Sequence, residues 1–491
     1  MPTNEIPIPK YLVDEENHTH HIVKKIGQGG QGAVYQTTDE NVVIKVVLKD
    51  DEIVQDEKMY FHYKDQIDEV RILNLPKSIN IAKPVLMLKK PYNGYVMRLL
   101  SNMVPIRKLM MTGAIDDMVQ FYIETGSIQR RLQILTKVAH MFSQLHAIPV
   151  VYGDLSEENI FISEDCKETE TWLIDADNMR HTVDFTKTVY TPGYGAPELV
   201  KGISGNTTFS DVYSFAIIAF KVLALIGPFD GDLLFEQSDW ADENDWDAEE
   251  PMDNFVKAEH GEFPWVEDTD DDRNHTVAGV DRKLILSSGL RKLFQRTFGE
   301  EGRNNPTARP TMREWYEALH QASLATMTCP KCTGTYYINL QQCPYPNCQT
   351  KRPSVYIGFL SDVFDINAMM KDNNEENFIE LDYSDRENDK IRMHQYGFLS
   401  LENRSGTHYI QRCHTHDTLL GDDLDDTIEI TIDQYTYIKN ISDTKIQIYL
   451  STDVKEMGKN EWVEVSSLHG VKIMLPLTKH KKRYINFKLR D

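Results

Sequence analysis

The chain has 491 residues, with 53 Lys and Arg against 76 Asp and Glu, for a formal net charge of -23. That length admits about two to four domains, and a 41% hydrophobic content supports a packed core in each large segment. The acidic balance excludes general attraction to nucleic acid or to an anionic membrane by charge alone, although a local basic patch could still bind either.

No segment reads as a membrane-spanning helix. The longest apolar run, residues 215–229, is interrupted by Lys221 and is too short to cross a bilayer. Residues 1–9 are polar and proline-containing where a secretory signal needs an apolar core. The expected compartment is the cytoplasm, and residues 1–20 are expected as a leader. Four of the six cysteines cluster at metal-ligand spacing, which fits a reducing compartment.

Residues 21–100 pattern mainly as strands, with a helical interval over 56–73. Residues 101–325 pattern mainly as helix, and 128–146 and 211–225 carry apolar residues at helical spacing. Within this part, residues 236–272 form an acidic insertion that Trp240, Trp246 and Trp265 interrupt. A solvated surface insertion is the plain expectation. A docking surface for a basic partner is the alternative.

Ile26, Gly27, Gly29, Gly32 and Val34 fit G-x-G-x-x-G-x-V. Glycines let backbone approach phosphate oxygens closely. A dinucleotide-binding turn has the same glycines but needs a helix after them. Here residues 34–37 and 42–48 read as strands, which gives a glycine-rich hairpin. The second strand holds Lys45 among Val42, Val43 and Ile44. A lysine in an apolar strand is costly unless its charge is matched. Triphosphate oxygens would match it, with a carboxylate orienting the amine. Glu69 is the preferred carboxylate and Glu57 the competitor.

Residues 150–162 read Val-Val-Tyr-Gly-Asp-Leu-Ser-Glu-Glu-Asn-Ile-Phe-Ile, placing Asp154 and Asn159 on a loop between apolar strands. Trp172, Leu173 and Ile174 then lead into Asp175, Ala176 and Asp177. Phosphoryl transfer needs a carboxylate to orient and accept the hydroxyl proton, and hard oxygen ligands for Mg²⁺. Asp154 suits the first role. Asn159 and Asp175 suit the second.

In order, these motifs resemble the eukaryotic-type protein kinase family. Residues 191–198, Thr-Pro-Gly-Tyr-Gly-Ala-Pro-Glu, resemble the end of its activation segment, with Thr188 and Thr191 as segment residues. Residues 210–215 resemble the start of its buried central helix, with Asp211 structural. Arg309 resembles the arginine that would pair with Glu198. The resemblance covers residues 21–325. It implies a bilobal α+β kinase fold (lobes 21–100 and 101–325), ATP and Mg²⁺ as cofactors, and a protein substrate. It also implies nucleotide contacts from Ile26, Gly27, Gly29, Gly32, Val34, Lys45, Met97 and Phe161.

There are departures. His-Arg-Asp is Tyr152-Gly153-Asp154, so the arginine that reads an activation-segment phosphate is missing. The lysine two residues after the catalytic aspartate is Ser156, and Asp-Phe-Gly is Asp175-Ala176-Asp177. The context of Thr191 favours serine/threonine substrates. The same departures resemble a bacterial branch whose members are often encoded beside a von Willebrand-type protein and a metal-dependent phosphatase in stress-response clusters. Those two proteins are the partners that the resemblance implies. A pseudokinase that binds nucleotide and signals as a scaffold is the alternative, and a small-molecule phosphotransferase is a third.

Cys329, Cys332, Cys343 and Cys348 give C-x2-C, ten residues, C-x4-C. Four thiolates on two tight turns can surround one Zn²⁺ with no open position. Residues 326–352 are therefore expected as a structural zinc ribbon, with a nucleic-acid contact or a redox switch as alternatives. Residues 353–491 alternate apolar and polar in several runs and are expected as a β-rich, sandwich-like recognition or regulatory domain. The basic run 479–483 is expected at a hairpin tip, with a phosphate-binding loop as the alternative.

Overall fold

The computed structural model describes residues 9–29, 32–49, 52–53, 57–110, 117–182, 188–235, 253–365, 391–415, 425–450 and 453–490. The chain divides into two compact units, Met1–Leu319 and His320–Asp491.

The first unit opens with Tyr11–Val13 (β1), Thr19–Gly29 (β2), Gly32–Thr37 (β3), Val42–Lys49 (β4) and Glu52–Ile53 (β5). Helix α1 (Glu57–Ile72) follows, then Leu86–Met87 (β6) and Gly94–Arg98 (β7). The strands form one antiparallel sheet in the order β1-β2-β3-β4-β7-β6, with β5 against β4. The β-branched run of β4 favours a pleated strand buried on both faces. Its period of two sends Ile44, Val46 and Leu48 to one face, where they pack with Leu12, Tyr35 and Leu88. Val43 and Lys45 share the other face. There α1 supplies Tyr60 and Ile67 to a core with Met87, Tyr95 and Met97.

Met103–Pro105 (β8), Met118–Glu124 (α2) and Ser127–Ala147 (α3) start the helical part. Helix α3 buries Ile128, Leu132, Leu135, Val138, Phe142 and Leu145, one stripe at spacings of three and four. Short strands Val150–Val151 (β9), Ile160–Ser163 (β10), Thr171–Leu173 (β11) and Arg180–His181 (β12) frame the loop that carries Asp154 and Asn159. Pro197–Val200 (α4) precedes Thr208–Ala224 (α5). Helix α5 is buried at every residue from Ser210 to Phe220, as befits a helix that is apolar nearly all round. A reciprocal cap between Thr207 and Ser210 starts it, and Leu225 ends it at a φ of +59°.

Asp232–Phe235 (α6), Asn254–Glu259 (α7), Arg282–Ile285 (α8), Ser288–Phe298 (α9), Glu300–Asn304 (α10) and Met312–Leu324 (α11) follow. Residues 236–252 of the expected acidic insertion lie outside the described residues. The remainder corrects that expectation, because Trp265 is fully buried rather than solvated. Its ring packs on Phe220 and Phe294 at centroid distances of 5.8 and 6.2 Å, and its Nε1 donates to Gln295 at 2.9 Å. Removing an indole of this size from water outweighs the acidic context around it.

The second unit is β-rich. Thr326–Thr328 (β13) and Thr335–Tyr337 (β14) pair as a small hairpin. Val355–Asp365 (β15), Ile391–Glu402 (β16), Gly406–Gln411 (β17), Asp426–Ile432 (β18), Thr436–Asn440 (β19), Ile446–Tyr449 (β20), Val454–Met457 (β21), Trp462–Val465 (β22), Lys472–Pro476 (β23) and Lys481–Arg490 (β24) complete it. They form a six-stranded sheet, β16-β15-β24-β23-β20-β21, and a four-stranded sheet, β17-β18-β19-β22. Leu360, Ile448 and Ile485 of the first and Ile428, Ile438 and Val465 of the second share one apolar core.

The basic run is not simply a soluble tip. Arg483 is fully buried, and its Nε and Nη2 donate to the two Asp362 oxygens at 2.7 and 2.9 Å. Lys481 adds a bridge to Asp362 at 3.0 Å. Strand alternation turns residues 481 and 483 to the same face as Ile485 and Phe487. Among the described residues, no helix is long and apolar enough to cross a membrane.

Candidate functional site

The glycine hairpin joins β2 to β3, with Gly29 opposite Gly32, rather than the two strands the sequence suggested; β3 then pairs on its other side with β4, with Val34 opposite Lys45. A Cβ at Gly32 would meet the Val46 carbonyl oxygen at 2.7 Å, so only glycine fits there. Gly27 lies in β2, which ends at Gly29, and Ile26 is exposed on the same strand. Met97 is buried on β7 opposite Val43. Phe161 is half-buried on β10, opposite Pro105 and Trp172.

Lys45 is 4% exposed. Its Nζ donates to Asp175 and, at 2.9 Å, to Asp177 Oδ2. Burial pulls its pKa down, but the charges of Asp177 and Asp175 dominate and raise it. The ammonium is therefore firmly held. Asp175 sits at a φ of +58°, a left-handed conformation that is uncommon for side-chain-bearing residues and that aspartate enters more readily than most. Burial raises its carboxyl pKa against the pull of Lys45.

Glu69 requires a correction. It is exposed on α1, and the carboxylates that meet Lys45 are Asp175 and Asp177. Glu57 also points elsewhere, to Lys90. Helix α1 reaches the site through neutral groups instead. Tyr63 OH donates to Asp177 Oδ2 at 3.3 Å, and Gln66 Nε2 donates to the Asp177 carbonyl at 2.6 Å. Asp177 Oδ1 is buried and has no hydrogen-bond partner among the described residues. Asp177, Tyr63 and Gln66 are site residues that motif reading missed. The second carboxylate of Asp-Ala-Asp was the visible signal.

The loop that carries Asp154 and Asn159 hangs from α5. The two Asp211 carboxylate oxygens accept from the backbone N–H groups of Tyr152 and Gly153 at 2.8 and 3.0 Å. Asn159 Nδ2 donates to the Asp154 carbonyl at 2.7 Å, which leaves its Oδ1 free to face a cation. Asp154 Oδ1 accepts from Thr191 Oγ1 at 2.8 Å. Burial raises the Asp154 carboxyl pKa, and the Thr191 hydrogen bond opposes it. Thr188 is exposed and donates to the Ser204 carbonyl at 3.2 Å. Arg309 grips both Glu198 oxygens at 2.8 Å in a buried bidentate pair.

In the second unit the four cysteine sulfurs lie within 4.8 Å of one another. Cys329 approaches Cys348 at 3.5 Å and Cys332 approaches Cys343 at 3.6 Å. Tetrahedral Zn–S bonds of ~2.3 Å would place sulfurs about 3.8 Å apart, so the cluster fits a zinc ion.

Comparison with known proteins agrees with the first unit. The chain is similar to a probable serine/threonine-protein kinase, PBL20, of Arabidopsis thaliana, at 27% identity over 40% of this chain and 51% of the relative. Among bacterial proteins, it is 25% identical to the probable serine/threonine-protein kinase PknB of Lactococcus lactis, over 46% of this chain and 34% of that protein. It is 30% identical to the serine/threonine-protein kinase pkn2 of Myxococcus xanthus, over 21% of this chain and 13% of that protein. The chain thus spans about half or less of the length of these relatives. The protein kinase domain model matches residues 20–318, more than half of the sequence, and the chain belongs to the protein kinase family.

Proposed function

We propose that this chain is an active serine/threonine protein kinase that transfers the γ-phosphate of ATP to protein hydroxyls with Mg²⁺. One observation carries the reading: the pocket around Lys45 holds more carboxylate than cation. Lys45 faces Asp175 and Asp177, and the buried Asp177 Oδ1 lacks a partner among the described residues. Such a set wants a further cation, and its donors are the hard oxygens that Mg²⁺ takes. Asn159 and Asp175 would hold the metal, which would spread the charge of the transferring phosphoryl group.

The protein's own groups do the rest. Lys45 binds phosphate oxygens. The glycine hairpin offers backbone N–H groups to them, while Ile26, Val34, Met97 and Phe161 supply apolar contact for the base. Asp154, with its raised pKa, orients the substrate hydroxyl and takes its proton. Asp177 takes the orienting role that Glu69 was expected to fill. A cleft of about 190 Å³ lined by Gly193, Gly195, Tyr213, Phe229 and Phe255 lies beside the segment that follows Thr191.

Incubation with labelled ATP and Mg²⁺, alongside Asp154→Ala and Lys45→Met, tests the reading. Transfer that only the unmodified chain performs supports it. Transfer that survives both substitutions refutes it, and nucleotide binding without transfer favours the pseudokinase. In the second unit we assign Cys329, Cys332, Cys343 and Cys348 to one structural Zn²⁺. Metal analysis of protein purified without chelator should give about one zinc per chain. A metal-dependent phosphatase and a von Willebrand-type protein are the partners that the bacterial resemblance implies, in stress signalling.

A further inference from the structure

Gly153 stands where the resemblance expects the arginine that reads an activation-segment phosphate. Its φ of +92° suits glycine alone. A Cβ there would lie 3.3 Å from Arg180 Nη1. The segment meets Asn206 instead, which lies between α4 and α5 and is 1% exposed. Asn206 Oδ1 accepts from the Val189 N–H at 2.8 Å and from Arg180 Nη2 at 3.1 Å. Its Nδ2 donates to the Val189 carbonyl at 2.7 Å and the Gly153 carbonyl at 2.9 Å. These four bonds use the full capacity of a carboxamide.

We infer that Asn206 is the positioning residue of the activation segment, clamping Val189 to the catalytic loop at Gly153 and to Arg180 without any phosphate. This rests on the kinase reading and adds its mode of control. Val189 lies two residues before Thr191, which meets the catalytic carboxylate of Asp154 at 2.8 Å. Holding Val189 therefore holds the end of the segment where the substrate hydroxyl must arrive. The clamp is made of neutral amide and backbone groups plus one arginine, so no added charge is needed to close it. A phosphate on Thr188 would break a bond rather than make one, because the Thr188 hydroxyl donates to the Ser204 carbonyl.

Two measurements on the full chain decide the matter. The first removes phosphate from the unmodified protein with a phosphatase, verified by intact mass, and compares transfer to a generic basic protein substrate before and after. An unchanged rate supports the clamp. A rate lost on dephosphorylation overturns it. The second follows hydrogen exchange at the Val189 amide. Asn206→Ala should speed that exchange about ten- to a hundredfold, as expected for losing one buried hydrogen bond. Asn206→Asp keeps one acceptor but sets a carboxylate oxygen against the Val189 and Gly153 carbonyls, so it should speed the exchange as well. The alanine variant should also raise KM for the protein substrate and leave KM for ATP unchanged, because the Lys45 pocket is untouched. Unaltered exchange at Val189 in the alanine variant overturns the inference. Absence of transfer by every form would sink the kinase reading, and the exchange comparison would still decide whether Asn206 holds the segment.

Discussion

Two buried ionic clusters, one in each unit, follow opposite arithmetic. Around Lys45, one cation faces two carboxylates, and one buried carboxylate oxygen has no partner among the described residues. Around Asp362, two cations face one carboxylate, and both of its oxygens are engaged. Burial raises the Asp175 carboxyl pKa and Lys45 only partly offsets this. Burial also works against Asp362, but the Arg483 and Lys481 bonds win and lower its pKa. A cluster with surplus negative charge is incomplete and calls for a cation from outside. The Asp362 carboxylate has both oxygens taken by Arg483 and Lys481 and offers no acceptor to a metal, so its part is structural.

The largest effect should come from breaking the closed cluster. Arg483→Met leaves Asp362 buried with Lys481 alone, and such a break costs about 3–5 kcal/mol. Denaturant unfolding of the variant should show a clearly lower midpoint at an unchanged slope. An unmoved midpoint would mean that the pair holds nothing. The matching change in the open cluster, Lys45→Met, should act mainly on rate. Loss of one positioned electrostatic donor lowers turnover ~10²–10³-fold. A stability loss at Lys45 as large as that at Arg483, with turnover intact, would reverse the contrast between the clusters.

The contrast was only half legible in the sequence. Lys45, Asp154, Asn159 and Asp175 stood out because short motifs encode their local geometry, and a glycine hairpin or an apolar strand ending in carboxylate is visible residue by residue. The pairing of Lys45 with Asp177 was not visible, because the two residues lie 132 positions apart along the chain. Glu69 had the right chemistry and the wrong side of α1, whereas Tyr63 and Gln66 occupy the facing side without a charge to advertise it. Arg483 was legible in principle. Alternation along β24 turns it inward with Ile485, but the density of charge over residues 479–483 hid that period. Asn206 carried no signal, because a lone asparagine before a helix reads as an ordinary connection.

A smaller effect should come from filling the open cluster. MgATP at a hundred times its Kd should stabilise the folded chain by ~2.7 kcal/mol. Asn159→Ala should remove the magnesium-dependent part of that gain and leave any nucleotide-only part. Equal stabilisation with and without Mg²⁺ in the unmodified chain would show that the surplus carboxylate does not bind metal. Arg483→Met should leave the MgATP increment as it is.

The smallest effect, and the one that separates the clusters by sign, is the response to acid. The folded pKa of Asp154 is raised, so its cost to stability is present at neutral pH. That cost is relieved as pH falls through the raised value towards ~3.9, the ordinary aspartate value. The folded pKa of Asp362 is lowered, so its contribution is present above ~3.9 and is lost as pH falls further. Unfolding free energies of Asp154→Asn and Asp362→Asn, each subtracted from the unmodified chain, should therefore drift in opposite directions on acidification. The Asp154 drift comes first, at the higher pH. Turnover should fall over the same interval, because protonated Asp154 cannot accept the hydroxyl proton. Parallel drifts, or an acid limb of turnover at the ordinary aspartate value, would show that Asp154 is not set apart by its burial.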